Sequence, residues 1–290
     1  MANRSLVIAI SLILQLSLNT ATDGIANINN ESNKSLNNIE LQYYNINKDS
    51  SEQYNDVHYI KPELDYILNI IDEKEYIEDE KNHKRIIDPN KPMIALTFDD
   101  GPSKYTSDLL DLLDENNSAA TFFVLGLQVN KYEDILVRII EEGNQVGNHS
   151  YSHKKLTTLS DEELYKQIDE TDKLIYETAY YKPFVMRPPY GTTSEDLVKR
   201  IQKPIINWSI DTRDWESRDT EKIINSILEN VKDGDIILMH DIYETTLEAA
   251  RIVIPELIQR GYQLVTVSEL SEYKEIPLTA GELYYNMNKK

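Results

Sequence analysis

From residue 93 to about 270, apolar runs of strand length alternate with amphipathic stretches of helix length. Runs at 93–98, 120–125, 145–148, 184–187, 205–210, 235–239 and 263–267 read as strands. Between them, the spacing of apolar positions predicts helices at about 105–116, 130–142, 160–178, 194–202, 219–232 and 244–260. Local punctuation agrees with this division. Ser160 followed three positions on by Glu163 is a capping-box pair, and Gly143 and Gly261 stand where helices should stop. Strands that each lead into a helix or a return segment form a parallel sheet with helices outside, as a barrel or as an open doubly wound sheet. No internal repeat interrupts this order.

Before residue 93 the pattern changes. Arg4 is followed by a mostly apolar run at 6–18, broken by Ser11, Gln15 and Ser17, and then by the small-residue segment Asn19, Thr20 and Ala21. This layout predicts a signal peptide over 1–22, with an uncleaved anchor as the alternative, because the run is short for the roughly 20 residues of a membrane span. Residues 23–90 read as a polar, acidic spacer in which Leu64, Ile67, Leu68, Ile70, Ile71 and Ile77 outline a short helix within 60–81. Asp88-Pro89-Asn90-Lys91-Pro92 is turn chemistry at its end. A regular domain over 91–275 and a tail over 276–290 complete the layout.

Charge narrows the function classes. Asp and Glu number 50 against 30 Lys and Arg, a net charge of -20, which argues against nucleic acid and against attraction to an acidic membrane surface. Membrane contact is expected only through the N-terminal segment. The chain has no cysteine, so disulfides, thiolate metal sites and cysteine nucleophiles are excluded.

Candidate chemistry collects where the expected strands end. Asp99 and Asp100 are adjacent carboxylates before a Gly-Pro turn, and like charges in one poorly solvated place need a cation or a reaction to keep them. His149 and His153, spaced i and i+4, would face one way on a helical turn and could share a divalent cation with Asp100. Two imidazoles and one carboxylate leave coordination positions open, as catalytic zinc sites do. Arg187 could pair with a buried acid, and His240 with a carboxylate neighbour could donate a proton near neutral pH. Each residue also has an ordinary reading: a turn cap for the Asp pair, surface or core positions for the histidines, helix-start acids for Asp211 and Asp214, core packing for Trp215.

Taken together, five segments resemble the motifs of the polysaccharide deacetylases, carbohydrate esterase family four, also called the NodB-homology domain. In family order they are Thr97-Phe98-Asp99-Asp100-Gly101-Pro102, His149-Ser150-Tyr151-Ser152-His153, Arg187-Pro188-Pro189-Tyr190-Gly191, Asp211-Thr212-Arg213-Asp214-Trp215 and Leu238-Met239-His240. The resemblance covers about 93–270 and shows no departure at a catalytic position. It implies a distorted (β/α) barrel of about seven parallel strands and metal-dependent removal of acetyl groups from sugars. By motif position, Asp100, His149 and His153 are implied as metal ligands and Asp99 as the base, held by Arg187. Tyr190 is implied as an oxyanion donor through its backbone N–H, and His240 as the general acid, oriented by Asp214. Trp215 and Leu238 are implied as walls around the acetyl methyl.

The expected activity is a hydrolase that removes N-acetyl groups from N-acetylglucosamine units of a polysaccharide, with peptidoglycan first. A chitooligosaccharide or an O-acetylated xylan is the alternative substrate, and a non-catalytic wall-binding protein the alternative class. Zinc is the default metal from ligand type, with cobalt or manganese next. The expected setting is a monomer secreted from, or held at the surface of, a bacterial cell.

Overall fold

The computed structural model describes residues 85–288. The signal peptide expected over 1–22, and the spacer with its short helix up to residue 84, lie outside the described residues.

The central strand is β1 (Met93–Asp99), every residue of which is buried. Its alternate residues feed two cores. Ile94, Leu96 and Phe98 pack among helices α1 (Thr106–Glu115), α3 (Glu133–Glu141) and α8 (Glu244–Gln259), while Met93 and Ala95 join Val185, Ile206, Ile236, Val265 and Met287 on the other face. Each fully buried aliphatic or aromatic side chain of this kind stabilises the fold by about 1.5–3 kcal/mol. A strand buried on both faces reads as a continuous apolar run, which is why its sequence shows no alternation.

Strands β2 (Thr121–Val124), β3 (Gln145–Asn148), β5 (Ile210–Asp211), β6 (Ile236–His240) and β7 (Gln263–Leu264) join β1 in a parallel sheet ordered β3-β2-β1-β6-β5, with β7 also on β1. A separate parallel pair is formed by β4 (Ile205–Ile206) and β8 (Leu283–Tyr284). The connections carry α2 (Gly126–Val129), α4 (Asp161–Ala179), α5 (Glu195–Arg200), α6 (Asp214–Ser217), α7 (Thr220–Leu228) and α9 (Val267–Tyr273). The fold is therefore α/β, with a mostly parallel sheet and helices.

Several expected elements differ in detail. The strand at 184–187 is a single bridging residue: Met186 pairs with Asn148 on one side and Ile205 on the other. Pro183, Pro188 and Pro189 deny the ladder three N–H donors around it. The run at 205–210 is two strands, because the chain changes partners from β8 to β6 near Trp208. The run at 263–267 stops at Leu264, since Thr266 caps α9 in a capping box with Glu269. The helix expected at 130–142 is α3, and a separate short helix, α2, precedes it. The Ser160–Glu163 capping box opens α4, and Gly143 and Gly261 take positive φ after α3 and α8.

Both ends of the domain reach further than the sequence pattern suggests. Arg85 forms a 2.6 Å ion pair with Glu269, and the Asp88 N–H donates to Gln263 Oε1 at 2.8 Å. Residues set apart as a tail contribute β8, and Met287 is fully buried.

Candidate active site

Parallel pairing sets the site. The β1–β6 register places Asp99 opposite His240, and the β1–β2 register places it opposite Phe123. The His149 N–H donates to Val124 O, and the Arg187 N–H to Asn148 O, both at 2.9 Å, so the ends of β3 and of the Met186 bridge lie level with β1. Sequence distance is thereby converted into one cluster of titratable groups at the carboxyl ends of the strands, where α/β sheets bind ligands.

Asp100, His149 and His153 form one group, with a ligand atom from each lying within 4.8 Å of the others. Nε2 of His149 and Nε2 of His153 each lie 3.4 Å from Asp100 Oδ1. That separation is long for a hydrogen bond, and Oδ1 is buried without a hydrogen-bond partner. It is close to the edge of a tetrahedron, about 3.3–3.4 Å for ligand bonds of about 2.0–2.1 Å. His149 Nδ1 lies 2.7 Å from Arg187 O, a carbonyl that can only accept, so this nitrogen carries the proton. In the neutral ring the Nε2 lone pair then faces the oxygens of Asp100 and, at 3.6 Å, Asp99. Lone pairs converging in this way need a positive charge between them. The donor set, one carboxylate and two imidazoles with a tautomer fixed from behind, fits a divalent metal.

The histidines do not share a helical turn as their spacing suggests. Ser150 and His153 have φ of 72° and 57°, and the segment is an irregular turn held by Ser150 N–H to Asn148 Oδ1 and His153 N–H to Ser150 Oγ. Side-chain acceptors next to the turn make this conformation cheaper than a helix.

Charges around the group act on it unequally. Burial works to raise the Asp100 pKa, but the close approach and charge of His149, with the charges of His153 and His240, bring it down to about 2. Burial lowers His153, and the charge of Asp100 only partly offsets this. Burial also opposes protonation of His149, yet Asp99 and Asp100 raise it overall.

Asp99 is buried against a fully buried Arg187. Arg187 Nη1 donates to Asp99 Oδ1 at 2.7 Å and to Thr97 Oγ1 at 2.8 Å, while Nε and Nη2 reach the carbonyls of Ile206 and Asn207. The guanidinium carbon stacks 4.2 Å from the Phe123 ring centroid. Gly147 makes room for that ring, because a Cβ there would stand 2.5 Å from Phe123. Oδ2 of Asp99, the oxygen Arg187 leaves open, is the one turned to the metal-ligand group.

A second pair stands beside it. His240 Nδ1 lies 2.7 Å from Asp214 Oδ1, and Asp214 Oδ2 accepts from the His240 N–H and from Thr246 Oγ1, each at 2.7 Å. Asp214 is fully buried at the start of α6, with Trp215 N–H also donating to it. Burial lowers the His240 pKa, but the hydrogen bond and charge of Asp214, aided by Asp99 and Asp100, raise it to about 9. His240 is thus protonated at neutral pH.

Around these groups, Tyr190 holds a left-handed backbone with φ 63°, and its ring packs edge-on to His153 at 4.5 Å. Trp215 is half exposed, whereas Leu238 is almost wholly buried in β6. Asp211 sits apart from this cluster in role, accepting from the Arg213 N–H.

The sequence places one more acid, Asp241, at the strand end that carries His240, without assigning it a role. Asp241 is buried next to His240; its Oδ2 accepts from Thr106 Oγ1, and its backbone carbonyl accepts from Ser103 Oγ at 2.5 Å. It lies so close to Gly101 that any Cβ there would collide with it. Burial, with the charge of Asp100, raises its pKa to about 7. Its only signal in the sequence is an acid directly after the apolar run that ends in His240.

The chain resembles known proteins over this region. A family model described as polysaccharide deacetylase matches residues 87–204. Peptidoglycan-N-acetylmuramic acid deacetylase PdaC of Bacillus subtilis is 40% identical over 227 residues, covering 72% of this chain and 49% of that protein. A solved structure of PdaC superposes with a TM-score of 0.64 at 45% identity, covering 65% of this chain and 94% of that one. Peptidoglycan-N-acetylglucosamine deacetylase PgdA of Listeria monocytogenes is 43% identical over 194 residues, covering 67% of this chain and 41% of that protein. The chain therefore spans about half or less of the length of these two relatives. A family 4 acetyl xylan esterase from Clostridium thermocellum, solved with a cobalt ion, matches at 34% identity and TM-score 0.64, covering 67% of this chain and 98% of that one. With identity at this level across nearly the whole of the solved catalytic domains, the chain belongs to the polysaccharide deacetylase family.

Proposed function

We propose that this protein is a metal-dependent N-deacetylase that hydrolyses the acetamide of N-acetylglucosamine units in a polysaccharide, with peptidoglycan as the substrate. One observation carries the reading: the Asp100–His149–His153 group stands between a carboxylate held by arginine and an imidazolium held by aspartate. A base and an acid kept in opposite protonation states on one site are what amide hydrolysis requires.

Asp99 takes a proton from the attacking water through Oδ2, since Arg187 occupies Oδ1. His240 is charged at neutral pH and gives its Nε2 proton to the departing nitrogen, while Asp214 fixes Nδ1 and the ring plane. The Tyr190 backbone N–H stabilises the oxyanion, an interaction that contributes about 3–4 kcal/mol in comparable sites. Trp215 and Leu238 close around the methyl group. Asp100, His149 and His153 would hold the metal, which when bound would supply Lewis acidity and lower the pKa of water toward about 7. Zinc suits this donor set best, and cobalt and manganese are the other candidates.

The strand pairings support closure into a distorted barrel. β3 reaches β4 through Met186, the chain runs on from β4 to β5, and β5 returns to β1 through β6. The export-like N-terminus and the polar spacer support a secreted or surface-held location on a bacterial cell, with the chain as a monomer.

The test is acetate release by zinc-loaded protein from peptidoglycan fragments, chitin oligomers and acetylated xylan, before and after removal of the metal. Release from the N-acetylated glycans, lost with the metal and regained with it, is expected. Release from xylan alone would make the protein an ester hydrolase. Binding of wall fragments with no release from any of the three would make it a binding protein.

A further inference from the structure

In a chain of net charge -20, arginines find carboxylates easily. Every other arginine among the described residues is paired with an Asp or Glu. Arg218 has no such partner, although it lies exposed at the edge of the site.

Its position is nonetheless fixed. Arg218 follows α6 in a left-handed conformation, φ 48°, and its N–H donates to Asp214 O. Its Nε donates to Trp215 O at 3.0 Å. The guanidinium carbon lies 3.1 Å from the centroid of the Tyr243 ring, and that ring lies 5.9 Å from the ring of His240. One face of the guanidinium is covered and Nε is engaged, which leaves the fork of terminal nitrogens without an acid. A guanidinium held in this way has already given up its rotamer freedom, so a carboxylate binds it with less entropic loss.

We propose that Arg218, stacked on Tyr243, is an anion subsite that binds a carboxylate carried by the glycan beside the reacting acetamide. This rests on the deacetylase reading of the same site. Where no stem peptide is attached, N-acetylmuramic acid carries a free lactyl carboxylate on the carbon next to the acetamido carbon, where N-acetylglucosamine has a hydroxyl. In an alternating polymer the carboxylate is therefore on the reacting sugar or on its neighbour. An acidic protein repels such a polymer at long range, and a local cation beside the reacting group offsets this where it matters. Arg218 would thus favour wall glycan freed of its stem peptides, where the lactyl carboxylate is unsubstituted, over neutral chitin, which has the same acetamide and no carboxylate.

The experiment compares wild type with Arg218→Gln and Arg218→Lys on three substrates: glucosaminyl–muramyl oligosaccharides, the same oligosaccharides with the lactyl carboxylate methyl-esterified, and chitin oligomers of equal length. Wild type should prefer the free carboxylate to its ester, and Arg218→Gln should lower that preference about tenfold, mainly through KM. Arg218→Lys should recover part of it, because an ammonium keeps the charge but not the fork. Raising the salt should weaken the preference of wild type and leave that of Arg218→Gln flat. Mass spectrometry of the products then separates the two sources of the carboxylate: acetyl lost from muramic acid puts it on the reacting sugar, and acetyl lost from glucosamine puts it on the neighbour. An unchanged preference in Arg218→Gln, or an equal loss on all three substrates, overturns the proposal. If wild type turns over none of them, the deacetylase reading has failed. Calorimetric binding of acid and ester by the same variants then decides the subsite by itself, and equal affinities would overturn it.

Discussion

Arg187 Nη1 donates to Asp99 Oδ1 at 2.7 Å with both side chains buried, and the same guanidinium spans β1, the Phe123 ring and the carbonyls after Ile205. This pair ties the strand that carries the base to the chain on the other side of the inner core. Removing one member leaves the other as an uncompensated buried charge, which costs about 3–5 kcal/mol. Arg187→Met is therefore expected to lower the urea midpoint of metal-free protein strongly, while Arg187→Met with Asp99→Asn should lose less than the sum of the single changes. Arg187→Lys should rescue little, because an ammonium cannot make the same planar set of hydrogen bonds. Urea titrations of the four proteins check this, and additive losses would show that the two side chains do not act as a pair.

Asp100 Oδ1 faces two imidazole nitrogens at 3.4 Å and has no hydrogen bond of its own. Asp100→Asn keeps the shape of the group and removes its charge. Zinc affinity, measured by competition with a chromogenic chelator, is expected to fall by at least the roughly 10–100-fold seen for lost partners around metal sites. The urea midpoint without metal should change far less than in the Arg187 variants.

The pH behaviour of His240 follows from its partner. Its folded pKa is raised to about 9 from 6.5. The stability it contributes is fully present below about 6.5 and is lost as pH rises through about 9. The same proton is the one the leaving nitrogen needs, so kcat/KM should fall on the alkaline side of that value. Asp214→Asn removes the hydrogen-bonded charge and should move the alkaline limb down by at least about one unit. A limb that stays in place would separate His240 from the proton transfer.

Asp241 reverses the sign. Its folded pKa is raised to about 7 from 3.8, so between these values the unfolded chain has lost a proton that the folded chain keeps. Its ionisation therefore destabilises the fold as pH climbs through that window. The thermal midpoint of metal-free Asp241→Asn, taken relative to wild type, is expected to rise from about pH 4 to about pH 7. A constant difference across the window would remove the buried-acid account.

Much of this site could be read from the sequence because its residues sit at strand ends. Apolar runs such as the one leading into Asp99, and the acid or imidazole that closes each, are local features. The features that stayed hidden depend on distant partners. Asp241 meets Thr106 across 135 positions, and nothing near either residue announces the contact. The strand β8 is two residues long and gains its identity only from β4. Spacing of i and i+4 fits a helix and a tight turn equally well, so only the positive φ at Ser150 and His153 separates them. Arg218 likewise has no local signal, because what orders it is the ring of Tyr243 stacked against it.

The central claim is that Asp99 moves the proton while Asp100 and the two histidines hold the metal. Acetate release from N-acetylated wall oligosaccharides by wild type and Asp99→Asn, each with its zinc content measured, tests it most directly. The account expects equal zinc in the two proteins and turnover at least about a hundredfold lower in Asp99→Asn, the scale of a lost general base. Equal turnover in Asp99→Asn would contradict it, as would a loss of activity that merely follows a loss of zinc.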